Sequence, residues 1–160
     1  PPKLGIMDTD TLKPILQKLQ QQGEKVVFTN GCFDLVHPGH LQYLRAAKQC
    51  GDRLIVAINT DDSVTRLKGE NRPILPLEQR MGLINELEYV DWVIPFSEDT
   101  PEQLIETLLP NILVKGADYK AHEIAGATTV IKHGGEIKTI PLTPDCSSSN
   151  IIQRVLSKHS

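Results

Sequence analysis

Five apolar, β-branched runs set the limits on how this chain can fold: residues 25–30 (KVVFTN), 52–59 (DRLIVAIN), 91–95 (DWVIP), 111–116 (NILVKG) and 135–142 (GEIKTIPL). A stretch with helical spacing separates each from the next, and no hairpin-type turn joins any pair. Near-continuous Val/Ile/Leu runs belong to strands covered on both faces, hence to a parallel sheet closed by right-handed crossovers. The expected fold class is α/β: a Rossmann-like, doubly wound, parallel five-stranded sheet with helices on both faces. Leu12, Ile15, Leu16 and Leu19 mark one helix that ends at Gly23, with Asp8 or Thr9 as its cap. Pro38 opens another that runs to Gly51, and further helices are expected over 61–68, 76–88, 100–109, 121–133 and 147–158.

The 160 residues contain no repeat and no linker, so one domain over 1–160 is expected, with 1–23 a helical extension packed on it. Aromatic residues make up only 4%, so the core must be aliphatic. Seventeen basic against twenty acidic residues leave a net charge of −3 with no basic tail, which argues against nucleic acid as a partner. No apolar run reaches the ~18 residues a membrane span needs, and no signal-peptide pattern opens the chain, so a cytoplasmic protein without membrane contact is expected. Cys32, Cys50 and Cys146 are widely spaced and form no CxxC pair, which reads as reduced thiols. Pro1 stands where a Met would open a whole protein, as expected of a trimmed chain or of one part of a longer protein.

In a doubly wound sheet, ligands sit beyond the carboxyl ends of the strands, where strand order reverses. Four segments fall there: the corner after the first run, AINTDD, VKGADY and the start of the last helix. The corner carries HPGH. Pro38 holds His37 extended, Gly39 leaves room for a close approach to the backbone, and His40 sits one turn in. Two imidazoles beside free helix-start N–H groups suit anionic oxygens. The bland alternative is a Pro-Gly helix start with solvent-facing histidines. Zinc fits poorly, because no HxxxH, CxxC or carboxylate pair completes a ligand set. Lys68 and Arg72 lie on a Gly-containing loop that either folds over a polyphosphate or is simply solvated. Lys115, Gly116 and Asp118 end the fourth run, where Asp118 either holds a sugar hydroxyl or caps a helix. Ser147, Ser148 and Ser149 exceed the single serine that a helix cap requires, as a phosphate receptor would. There is no GxxxxGK[ST], GxGxxG or GxSxG, so these residues supply phosphate binders and no nucleophile.

TNGCFDLVHPGH, RLKGENRPI, LEQRM, VDWVIPFSEDTPEQLI, LVKGADY and CSSSNII together resemble the cytidylyltransferase-like branch of the nucleotidyltransferases. Within that branch the chain is most similar to the bacterial heptose-1-phosphate adenylyltransferases. The resemblance runs from about residue 10 to the end. It implies transfer of AMP from ATP, with Mg2+ carried on the phosphates and no direct protein ligand, to D-glycero-β-D-manno-heptose 1-phosphate, giving ADP-heptose and pyrophosphate for lipopolysaccharide core synthesis. It implies that His37 and His40 stabilise charge on the transferring phosphate and that Lys68 and Arg72 neutralise pyrophosphate. Asp34 would arrange phosphates or metal. Phe33, with the backbone of Thr29, Asn30 and Gly31, would line the nucleotide side. Ser147 to Ser149 would receive phosphate oxygens, Asp118 would lie near the nucleotide, and Asn59, Asp61 and Arg80 would meet substrate.

Three departures stand beside the likeness. Ser148-Ser149 replaces the usual Thr-Thr, and KGADY the usual KGGDY. No sugar-kinase domain is present, so a kinase is expected on a separate chain or in a missing part. The relatives are commonly dimers, and a homodimer is the matching expectation. A cytidylyltransferase acting on glycerol phosphate is the first alternative, although the Arg-Thr-x-Gly run of those relatives is missing before the serines. The second is a nucleotide-binding regulator without turnover.

Overall fold

The computed structural model describes residues 5–120, 123–141 and 148–159. Among them six strands form one sheet: β1 (Gly5–Ile6), β2 (Val26–Gly31), β3 (Arg53–Asn59), β4 (Trp92–Phe96), β5 (Ile112–Gly116) and β6 (Glu136–Ile140). Their order is β1-β4-β3-β2-β5-β6, and every neighbouring pair is parallel. The sixth strand corrects the expected five. β1 pairs only Gly5 with Trp92 and Ile6 with Val93, too short a run to leave a pattern in the sequence.

Among the described residues seven helices accompany the strands: α1 (Thr9–Gln21), α2 (Pro38–Gln49), α3 (Asp61–Lys68), α4 (Leu77–Asn85), α5 (Glu102–Leu108), α6 (Ala127–Lys132) and α7 (Ser148–His159). Strand side chains alternate between two cores. Val26, Phe28, Ile55, Ala57, Ile94 and Leu113 pack with Leu12 and Leu16 of α1, Ile105 of α5 and Val130 of α6. Val27, Leu54, Val56, Ile58, Val93 and Val114 pack on the other face with Leu44 and Ala47 of α2 and Ile84 of α4. Burial on both faces explains the unbroken apolar runs, and it places helices on both sides of the sheet as expected.

Local chemistry sets the helix ends. Asp8 caps α1, its carboxylate accepting from the Thr11 N–H at 2.7 Å. The helices expected over 76–88 and 100–109 are shorter at both ends. Leu109 stops α5 in the left-handed region, φ +51°, ahead of Pro110, which disfavours helical backbone before it. The helix expected over 121–133 is also shorter: α6 begins only after Gly126, whose φ of +84° breaks the helical path. Residues 121–122 lie outside the described residues, as do Cys146 and Ser147. Cys32 and Cys50 are free thiols. Among the described residues no helix is long and apolar enough to cross a membrane.

Candidate active site

β2 lies at the centre of the sheet, with β3 on one side and β5 on the other. The chain winds outward from β2 through β3 to β4, then returns to lay β5 against β2's other edge. Strand order therefore reverses at β2, and a crevice opens beyond its carboxyl end. A cleft of about 800 Å³ occupies that position.

The corner after β2 is sharply folded. Phe33 and Leu35 both hold φ of +50°, a strained region for such side chains. Gly31 is required beneath them, because a Cβ there would lie 2.9 Å from the Phe33 ring. The turn sets Phe33 against His40, with ring centroids 5.2 Å apart. His37 is the N-cap of α2, and its Nδ1 accepts the Gly39 N–H at 3.1 Å. The His40 Nδ1 accepts the His37 N–H at 3.2 Å, and the two rings stack with centroids 3.8 Å apart. The His40 and Leu41 N–H groups donate to the His37 carbonyl at 2.9 and 3.3 Å. The N–H groups expected to be free at this helix start are thus engaged, because the histidines cap their own helix. Accepting at Nδ1 puts the proton of each neutral ring on Nε2, so each imidazole is a donor there.

Burial keeps both rings neutral. It pushes His40 down to about 4, helped by the neighbouring His37 and by Lys68 and opposed by Asp34. Burial lowers His37 as well. At neutral pH the corner presents two uncharged donors without cation–cation repulsion in the stack.

The cleft brings together most of the residues singled out from the sequence. Asn30, Gly31, Phe33, His37, Gly39 and His40 line it from the corner, and Asn59 from the end of β3. Lys68 and Arg72 line it from α3 and the loop that follows, and Lys115, Gly116 and Asp118 from the end of β5. Ser149 completes the set from the start of α7, with its Oγ 3.2 Å from the Arg72 Nη2. Lys115 is half-buried beneath Tyr119, its Nζ 5.3 Å from the ring, and burial lowers its basicity against the pull of Cys32 and Asp118. Asn30 Oδ1 is buried with no hydrogen-bond partner among the described residues.

Four expected residues sit elsewhere. The hydroxyl of Thr29 is buried 2.7 Å from that of Tyr43, and both are 3.1 Å from the Val114 carbonyl, tying β2, α2 and β5 together. Asp34 is 3% exposed, and its oxygens accept the backbone N–H groups of Ile74 and Leu75 at 2.6 and 2.9 Å. Arg80 is fully buried and paired at 2.6 Å with Asp61, whose side chain stays 47% exposed, and neither lines the cleft. Ser147 lies outside the described residues, and Ser148 is the first residue of α7.

Sequence reasoning missed Cys32, Tyr43, Asp99, Thr100, Tyr119 and Glu123, which also line the cleft. Asp99 and Thr100 follow the carboxyl end of β4, so the rule that picked out the other rim segments applies equally to theirs. Among the described residues no three His, Cys, Asp or Glu side chains gather as metal ligands.

The sequence model described as cytidylyltransferase-like matches residues 28–154. The bifunctional protein HldE of Actinobacillus pleuropneumoniae is 54% identical over 151 residues, which are 94% of this chain and 32% of that protein. The same-named protein of Yersinia pestis (strain Pestoides F) is 55% identical over 151 residues, with the same two coverages. The chain thus spans about a third of the length of the curated relatives it matches. Among solved structures, the lipopolysaccharide core biosynthesis protein of Thermoplasma volcanium is 31% identical with a TM-score of 0.62, over 76% of this chain and 98% of that one.

Proposed function

This chain belongs to the cytidylyltransferase-like family, and from that premise we propose that it transfers AMP from ATP to D-glycero-β-D-manno-heptose 1-phosphate. The products are ADP-heptose, for the lipopolysaccharide core, and pyrophosphate. The observation that carries nucleotidyl transfer is the pair of neutral imidazoles on the cleft, each with its Nδ1 already engaged and its Nε2–H left to donate. Support for the acceptor comes from the sequence likeness to the heptose-1-phosphate adenylyltransferases and from the similarity to the Thermoplasma protein.

In this reading a phosphate oxygen of the sugar phosphate attacks the α-phosphorus of ATP in line. The bond to the bridging oxygen breaks, and pyrophosphate leaves with its electron pair. The nucleophile is already an anion, so no residue has to remove a proton and no covalent enzyme intermediate is needed. His37 and His40 donate from Nε2 to the oxygens of the transferring phosphate, where negative charge concentrates. Lys68 and Arg72 meet the departing pyrophosphate. Ser149, beside Arg72, and Lys115, at the end of β5, hold further phosphate oxygens. Magnesium carried on the triphosphate would supply additional charge neutralisation. Phosphates and water are sufficient ligands for it. The acceptor itself must be made by a sugar kinase, on another chain or on the same one.

The test is pyrophosphate release with ATP, magnesium and heptose 1-phosphate, run beside CTP with glycerol 3-phosphate. Release in the first arm alone is expected. Release only in the second would keep the chemistry and overturn the substrates, and silence in both would favour a nucleotide-binding regulator.

A further inference from the structure

Two charged side chains next to the cleft are spent entirely on protein. A guanidinium out of water is tolerated only when its N–H groups are paired. Arg80 meets that condition with Nε donating to the Leu75 carbonyl at 2.9 Å, Nη1 to the carbonyls of Cys32 and Asn59 at 2.8 Å each, and Nη2 to Asp61. Those carbonyls belong to the corner after β2, the end of β3 and the segment before α4. Asp34 grips the same segment from the other direction, through the N–H groups of Ile74 and Leu75. The Thr65 hydroxyl donates to the Arg72 carbonyl at 2.7 Å. The loop over residues 69–76 is thus fastened at residues 72, 74 and 75, that is, at and just after the one residue it sends into the cleft, Arg72. Neither Asp34 nor Arg80 lines that cleft.

We propose that Asp34 and Arg80 are positioning residues that act through Arg72. They pin residues 74–75 to the ends of β2 and β3, and so aim the Arg72 guanidinium at the nucleotide's phosphates beside Ser149. The inference rests on the nucleotidyl-transfer reading, which gives Arg72 a phosphate to meet. It differs from a direct role for Asp34 at phosphate or metal in one measurable way. A residue that works through Arg72 loses its effect once Arg72 is gone, whereas one that touches the ligand does not.

The experiment is a double-mutant cycle on the binding of ATP with magnesium, without acceptor, using the wild type, Asp34→Asn, Arg72→Ala and the double variant. We expect Asp34→Asn to weaken binding by about tenfold when Arg72 is present and by less than about twofold when it is Ala. Arg80→Lys, whose ammonium cannot span the same acceptors, should show the same dependence on Arg72. Equal losses in both backgrounds would mean that Asp34 or Arg80 meets the ligand itself, and would overturn the proposal. Amide hydrogen exchange reads the anchor without any nucleotide. Ile74 and Leu75 should exchange faster in Asp34→Asn while the amides of β2 and β3 keep their protection, and unchanged protection at 74–75 would also refute it. A wild type that binds ATP but fails the heptose assay would sink the acceptor assignment and leave this cycle intact. A wild type that binds no nucleotide would overturn both.

Discussion

Replacing His40 with Gln separates the electrostatics of the corner from its architecture. Gln is a favoured residue three positions after an N-cap, where its side-chain oxygen accepts the cap N–H. It can therefore stand in for the His40 Nδ1 and keep the helix start closed while removing the titrating ring. His40 has an ordinary value of 6.5 in the unfolded chain and about 4 in the fold, the shift coming first from burial. The folded value is depressed, so below 6.5 the unfolded chain binds the extra proton and the fold does not. The ring's contribution to stability is complete above pH 6.5 and drains away as pH falls toward 4. Between pH 7.5 and 4.5 this amounts to about 2.5 kcal/mol. His37 shifts in the same direction but is present in both proteins, so comparing them isolates His40. Urea unfolding at the two pH values should show the wild type losing about 2.5 kcal/mol more than His40→Gln. Equal losses would refute the reasoning, as would an NMR titration of the His40 ring proton centred near 6.5.

Three further outcomes are expected. His40→Ala should lower kcat for pyrophosphate release by about 10²–10³ while ATP still binds, since one positioned donor is typically worth ~3 kcal/mol in the transition state; near-normal turnover would remove His40 from the chemistry. Arg80→Met should cost about 3–5 kcal/mol in chemical denaturation, because it strands the carbonyls of Cys32, Asn59 and Leu75 and leaves Asp61 without its partner; stability within ~1 kcal/mol of wild type would contradict the pairing described. Gly126→Ala should lower the melting temperature by several degrees, since the position holds φ +84° and the new Cβ would lie 2.6 Å from the Ile105 side chain; an unchanged Tm would show that the backbone there is free to relax.

The architecture was legible where burial leaves a periodic trace. Val26-Val27-Phe28 or Leu54-Ile55-Val56 cannot be one-sided strands, and the two cores that divide them residue by residue follow from that. A two-residue strand leaves no such trace, which is why β1 went unread. The cleft was legible through topology, because knowing which segments end strands was enough to bring Asn59, Lys115 and Asp118 to one rim. Hydrogen-bond consumption was not legible. Asp34 and Arg80 have the side chains of ligand-binding residues, and only coordinates reveal that backbone groups of residues distant in sequence have already claimed them. The helix-start N–H groups taken up by His37 were hidden for the same reason: a histidine is not a usual cap, and HPGH gave no hint that its imidazoles turn back on the chain.

The central place of β2 has a consequence for how the protein comes into being. Val27 pairs with Leu54 on one edge, close in sequence, and with Ile112 on the other, far from it. Closing the second loop costs more chain entropy and yields its contacts later, so the β2–β3 half is expected to consolidate first. The histidine corner belongs to that early half, whereas Lys115 and Ser149 arrive only with β5 and α7. During synthesis and refolding the chain would therefore hold one wall of its phosphate cleft well before the other. The ability to bind nucleotide should switch on at the end of folding, together with the last strands and not with the first.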